Sequence, residues 1–186
     1  MIPPTPAPIG YQLRVEMLVP AGQARALRVT RGELLQLVQA GNLRSALHLL
    51  RCAAEAGQLD RVILGTDTPS GTGVMPLGLL KTVAELASLG GVAPADVLAL
   101  ATGNAGRVLR VQEGILEPGR PADLLLLQEP RGGTQPDPMA ALAIGDLPGI
   151  AGVLVDGAIR VLRSRNTPAP AREATVKGRR ATRWPR

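Results

Sequence analysis

The sequence predicts an α/β fold built on parallel strands. Apolar segments of strand length alternate with amphipathic helical segments, and residues 62–64 are apolar at every position, as in a strand that is buried on both faces. With 186 residues, of which 45% are hydrophobic, the chain is long and apolar enough to bury a core. Because aromatic residues make up only 1%, we expect that core to consist of Leu, Val, Ile and Ala.

The first part of the chain contains the α/β pattern. Residues 1–31 are predicted to be irregular, since they begin with a proline-rich run and show only a weak strand alternation over residues 11–19. A strand is predicted over residues 33–39, and Asn42 caps a helix that Gly57 ends. The strand at residues 61–66 and three further helices follow, with the helices over residues 77–89, 94–101 and 105–109.

The pattern changes near residue 113, where a small β part begins. Two strands around a Pro-Gly turn are predicted within residues 114–127, then a loop, a short helix over residues 139–144 and a hairpin across Asp156 and Gly157. The rest is rich in Pro, Arg and Ala and is predicted to be a disordered basic tail. The predicted organisation is therefore an irregular segment, an α/β part, a small β part and a tail, at residues 1–31, 32–112, 113–163 and 164–186.

The net charge of +6 belongs to the tail, because residues 163–186 contain eight Lys or Arg and one acid, Glu173. Nucleic-acid binding through this tail, with Trp184 as a stacking residue, is one interpretation, but the composition favours a solvated extension. The single cysteine, Cys52, excludes an intrachain disulfide. No apolar run is long enough to span a bilayer, so we expect no membrane partner and a cytoplasmic protein.

The stretch of greatest functional interest is the end of the second strand and the loop after it. Asp67 follows a buried strand, at the sheet edge where active sites of βα folds collect, so it is a candidate catalytic residue. Asp-Thr-Pro also suits a turn, so a capping role for Asp67 stays open. The Gly-rich loop is a candidate substrate contact through its backbone N–H groups or a plain connection, at Ser70, Gly71, Thr72 and Gly73.

Three motifs, in this order, resemble the carboxyl-terminal part of the metal-dependent amidohydrolase superfamily: VILGTD at residues 62–67, ATGNAGRVL at 101–109 and GILEPGRPADL at 114–124. The resemblance covers about residues 33–168. It implies the last βα units of a (β/α)8 TIM barrel, followed by a small C-terminal β domain. Four further stretches resemble enamidase-type members, which hydrolyse the ring amide of a partly reduced pyridone carboxylate: VQAGN, DTPSGTG, AIGDLPGI and SRNTP, which begin at residues 38, 67, 143 and 164.

The resemblance implies a hydrolase that cleaves the C–N bond of a cyclic amide with water activated by zinc or iron. Asp67 matches the Asp that ends the eighth barrel strand in the family. Carried over, Asp67 is the general base and acid, and also a metal ligand.

The family's other metal ligands are missing from this sequence. Members carry a His-x-His pair, a bridging Lys or Glu and two more His, whereas this chain has one histidine. His48 lies on the polar face of a predicted helix and is expected to be solvated, and Cys52 is expected to be a small core residue. Neither Lys81 nor Lys177 is placed like a bridging residue. We therefore expect an incomplete metal site.

Two hypotheses follow from that incomplete site. In the first, the chain is the carboxyl-terminal piece of a truncated or split enzyme, is inactive alone, and needs a partner chain that supplies the missing half of the barrel. In the second, it is an inactive remnant or an interaction module. The acids Asp123 and Asp156 lie in predicted turns, so structural roles are expected for both.

Overall fold

A computed structural model describes residues 12–15, 33–38, 43–66, 68, 76–176 and 179–180. Its first part contains a parallel three-stranded sheet in the order β1-β2-β3, with β1 at Gln12–Val15, β2 at Glu33–Val38 and β3 at Val62–Gly65. The two predicted strands are confirmed as β2 and β3. Strand β1 lies in the segment expected to be irregular. Its polar residues, Gln12 and Arg14, interrupt the apolar pattern by which a buried strand is recognised in a sequence.

Four helices accompany this sheet, and their bounds agree with the sequence prediction within two residues. Helix α1 joins β2 to β3, and Gly57 follows its end with a φ of +65°. Arg51 of α1 donates hydrogen bonds to the carbonyl oxygens of Leu89 and Gly90, so it caps the end of the next helix. The bounds are α1 Leu43–Glu55, α2 Gly78–Leu89, α3 Pro94–Ala101 and α4 Gly103–Leu109.

The main core lies between one face of the sheet and the helices. Alternate residues of β2 and β3 enter it, namely Leu35, Leu37, Val62 and Leu64. The helices contribute aliphatic side chains that are at most 1% exposed, including Leu49, Leu50, Val83, Leu86, Val97 and Leu100. The described core is thus aliphatic, as the composition predicts.

The small β part is an antiparallel sheet in the order β4-β5-β6, with β4 at Leu124–Gln128, β5 at Gly149–Val155 and β6 at Ala158–Val161. The predicted hairpin is confirmed, and both turn residues, Asp156 and Gly157, have positive φ angles. Between β4 and β5 lies helix α5, Pro138–Ala143, which places Leu142 in the main core. This helix therefore joins the small β part to the α/β part.

Residues 114–123 form no strand in the structure, although a strand was predicted to begin at Gly114. Gly114 has a φ of +85°, and a Cβ there would lie 2.7 Å from the carbonyl oxygen of Thr102. The backbone is thus pressed against the start of α4, in a conformation that no regular strand adopts.

Residues 164–176 differ from the disorder expected for the tail. The backbone N–H of Arg131 donates to Ala169 O (2.7 Å), and the N–H of Ala171 donates to Glu129 O (3.0 Å). Beyond them, β7 (Thr175–Val176) pairs with β8 (Arg179–Arg180). Trp184 lies outside the described residues. None of the helices described is both long and apolar enough to cross a membrane.

Candidate active-site edge of the parallel sheet

The candidate site lies at the edge where the parallel strands end. Val38 is the register partner of Gly65, so β2 and β3 reach this edge together. Asp67 follows Gly65 by two residues in the sequence. Asp67 itself and the predicted substrate contacts Ser70, Gly71, Thr72 and Gly73 lie outside the described residues, so their roles stay predictions.

The chain turns immediately after β3. The hydroxyl of Thr66 accepts a hydrogen bond from the backbone N–H of Thr68 (3.3 Å), a bond that closes a turn around position 67. An Asx turn at Asp67 would need the N–H of residue 69, but that residue is Pro69 and has none. The hydrogen bond of this turn is therefore made by Thr66. Asp67 cannot close an Asx turn with residue 69.

The sheet face that turns away from the helices carries one polar residue near this edge, which the sequence analysis did not single out. The residues between the core positions alternate onto this face, where Leu34 is 3% exposed and Ile63 is 7% exposed. Gln36 lies between Leu34 and Val38 on β2 and leans over Gly65. A Cβ at position 65 would collide with Gln36 Nε2 and lie 3.3 Å from its Cδ. The feature of the sequence that could have identified Gln36 is a glutamine inside an otherwise apolar strand.

Behind β3, a buried asparagine fixes the strand to α4. Asn104 is 4% exposed, and its Nδ2 donates to the carbonyl oxygens of Leu59 and Val62 at 2.8 Å each. Its Oδ1 accepts a hydrogen bond from Arg107. The sequence predicts a helix over residues 105–109, which leaves Asn104 just outside it. Instead, Asn104 lies inside α4 and holds the start of β3.

The described residues do not supply a metal centre. No group of three or more His, Cys, Asp or Glu in this part of the chain is placed to hold an ion. His48 is partly buried and not fully solvated, and its Nε2 lies 3.8 Å from Cys52 Sγ, one helical turn away. Two such groups fall short of the three protein ligands usual for catalytic zinc. The residues described therefore do not fit a metal ion by themselves.

The acids of the small β part have the structural role that the sequence predicts. Asp123 Oδ1 accepts a hydrogen bond from the backbone N–H of Asp156 (2.7 Å). The next N–H in the turn, from Gly157, donates to Ala122 O (3.1 Å). The PGRPAD stretch thus holds the β5–β6 hairpin.

Two of the enamidase-type motifs pack against each other in this same part of the protein. Thr167 Oγ1 accepts a hydrogen bond from the backbone N–H of Ile150 (3.2 Å). A Cβ at Gly149 would lie only 3.0 Å from the carbonyl oxygen of Pro168. AIGDLPGI and SRNTP therefore form one structural contact.

Comparison with known proteins assigns the class of this chain. Residues 20–161 match the amidohydrolase family, and the chain belongs to that family. Enamidase from Eubacterium barkeri is 44% identical over 142 residues, which are 76% of this chain and 37% of the enamidase. The enamidase crystal structure at 1.9 Å resolution matches over the same shares of the two chains, with a TM-score of 0.74. The resemblance to enamidase-type amidohydrolases is thus confirmed.

A more distant structure agrees on the fold alone. The β-aspartyl dipeptidase of Fervidobacterium islandicum AW-1 is 19% identical, with a TM-score of 0.51 over 80% of this chain and 36% of the dipeptidase. Both structures support a mixed α/β fold of the amidohydrolase type. The chain spans little more than a third of the length of either relative.

Proposed function

We propose that this chain forms the carboxyl-terminal part of a hydrolase that cleaves the ring C–N bond of a cyclic amide. The observation that carries the proposal is the 44% identity to enamidase over 142 residues, together with a TM-score of 0.74. In this proposal β1, β2 and β3 are strands of a (β/α)8 barrel. The remaining strands come from a longer polypeptide or from a partner chain.

Asp67 is the proposed proton shuttle of this hydrolase. Its carboxylate takes a proton from the attacking water and returns it to the departing ring nitrogen, the usual task of a general base that becomes a general acid. Its place in the sequence, two residues after the end of the parallel strand β3, supports this role. The N–H groups of Ser70, Gly71, Thr72 and Gly73 are proposed substrate contacts at the same edge.

The family relationship implies zinc or iron, but the described residues lack a ligand set. We therefore derive no step through a metal from this chain. Asp67 would be its one ligand, and the missing histidines would come from the other barrel strands. A cyclic amide is the proposed substrate class, and nucleic-acid binding through the basic residues beyond 163 is the less favoured alternative.

Complementation tests the proposal. The full chain is mixed with the separately produced part of Eubacterium barkeri enamidase that lies outside the match, in the presence of Zn²⁺ or Fe²⁺, and ring opening of a partly reduced pyridone carboxylate is measured. We expect hydrolysis by the mixture and not by either piece alone. Asp67→Asn should abolish it, at least 100-fold, because the shuttle is lost.

Asp60→Asn is the matched control, since Asp60 is an exposed acid in the turn before β3. It should leave the rate within about twofold, as surface changes away from a site do. A folded but inactive wild-type mixture would contradict the proposed function. Activity that survives Asp67→Asn would remove Asp67 from the mechanism.

A further inference from the structure

Gln36 occupies an unusual position for a glutamine. It lies in the middle of β2, opposite Ile63, on the sheet face that turns away from the helices. Its neighbours on this face of β2 are Leu34 and Val38, both apolar. A carboxamide on an apolar surface costs free energy unless a hydrogen-bonding partner compensates it, so this side chain needs an explanation.

The side chain points towards the candidate site. Gln36 is the register partner of Ile63, yet its carboxamide lies over Gly65, two residues further along β3. The side chain therefore leans towards the carboxyl edge of the sheet. Gly65 leaves the space that the carboxamide occupies, since a Cβ there would collide with Nε2. Asp67 follows Gly65 by two positions in the sequence.

The carboxamide is also available to a ligand. Within the described part of the chain, the buried polar atoms without a partner belong to Glu85 and Glu129, and Gln36 is not among them. The hydrogen bonds described for these residues do not include the Gln36 side chain either. Gln36 is partly exposed, and within the described residues its carboxamide has no described hydrogen-bonding partner.

We propose that Gln36 binds the ring amide of the substrate, an inference that rests on the proposed function. In a cyclic amide the C=O and N–H lie on the same side of the C–N bond, whereas an acyclic amide holds them trans. A primary carboxamide presents one donor and one acceptor side by side, so it pairs with a cyclic amide through two hydrogen bonds. Gln36 is thus a specificity-determining residue that selects cyclic over acyclic amides.

The test is the kinetics of Gln36→Met in the complemented mixture. Methionine matches the size and flexibility of glutamine but cannot pair with an amide. Loss of two hydrogen bonds should raise KM for the cyclic substrate about 10- to 100-fold. We expect kcat/KM to fall by at least the same factor, because the groups that pair with Gln36 are those of the amide that reacts. The inhibition constant of δ-valerolactam should rise by the same factor as KM.

Gln112→Met is the matched control, because Gln112 is exposed and lies outside the sheet. It should change neither constant, and denaturant unfolding of both variants checks that they remain folded. Gln36→Glu keeps the acceptor and loses the donor, so its KM should fall between wild type and Gln36→Met. An active wild-type mixture with an unchanged KM in Gln36→Met would overturn the role of Gln36 alone. An inactive wild-type mixture would overturn the proposed function and this inference with it.

Discussion

At the scale of single residues, Asn104 is predicted to stabilise the start of β3. Asn104→Ala removes both hydrogen bonds from Nδ2, although the carbonyl oxygen of Leu59 keeps the one it accepts from the backbone N–H of Val62. Each hydrogen bond lost costs about 0.5–1.5 kcal/mol, so the two together cost about 1–3 kcal/mol. We expect a loss of that size in the free energy of unfolding, measured by urea denaturation of the full chain.

Asn166→Ala provides the comparison for Asn104. The Asn166 side chain is exposed, and its described hydrogen bond is made by its backbone N–H to Ser164 Oγ. The free energy of unfolding should therefore change by less than about 0.5 kcal/mol. Equal losses for the two variants would show that Asn104 does not hold β3 to α4.

Two single residues show how much of the candidate site can be predicted from the sequence. Asp67 was found because the end of a buried strand can be recognised from hydrophobicity and from the Pro and Gly residues that follow. Gln36 was missed because a strand of apolar residues hides one polar position, and its contact with Gly65 joins residues 29 positions apart. A hydrophobic pattern describes neighbouring positions in the sequence, so it does not predict a contact between two strands.

At the scale of elements, the helices and strands of the α/β part were predictable because their signals are local. Helical periodicity, prolines at helix starts and glycines at helix ends all act within a few residues. The strand expected at Gly114 failed for a non-local reason, since the backbone there is fixed by Thr102 of the preceding turn. The structure differs from the expected disorder of residues 164–176 for a similar reason. Their hydrogen-bonding partners are backbone groups of residues 129–131, which are distant in the sequence.

Helix α4 offers a prediction about how the segment after it is held. A Cβ at Gly106 would collide with the carbonyl oxygen of Glu113, which is backbone and cannot rotate away. Gly106→Ala should therefore lower the free energy of unfolding by about 1–3 kcal/mol, the range for overpacking a tight contact. Thermal or urea unfolding of the full chain measures the change.

Gly103→Ala in the same helix is the control for this clash. A Cβ at Gly103 would lie 3.6 Å from its nearest neighbours, Gly114 O and Ile115 Cγ1, which is ordinary contact. Because alanine favours helix over glycine, the variant should be as stable as wild type or up to about 1 kcal/mol more stable. If Gly106→Ala behaves like Gly103→Ala, the close approach of α4 and the segment after it is not tight.

At the scale of the whole molecule, the strands of the parallel sheet differ in how completely they are paired. Strand β2 has β1 on one side and β3 on the other, whereas among the described strands β3 pairs with β2 alone. An unpaired sheet edge presents N–H and C=O groups that another strand can bind. If the chain is part of a barrel, this edge and the free side of β1 are where further strands must add.

Hydrogen exchange of the full chain, with and without the complementing part of enamidase, tests this assembly. Amides of β3 that point away from β2 should exchange at least tenfold more slowly in the mixture, because a new strand protects them. Amides of β2 should change little, since they already have partners on both sides, and they serve as the internal control. Ring opening by the mixture without added protection of β3 would show that the missing strands do not join the sheet at this edge.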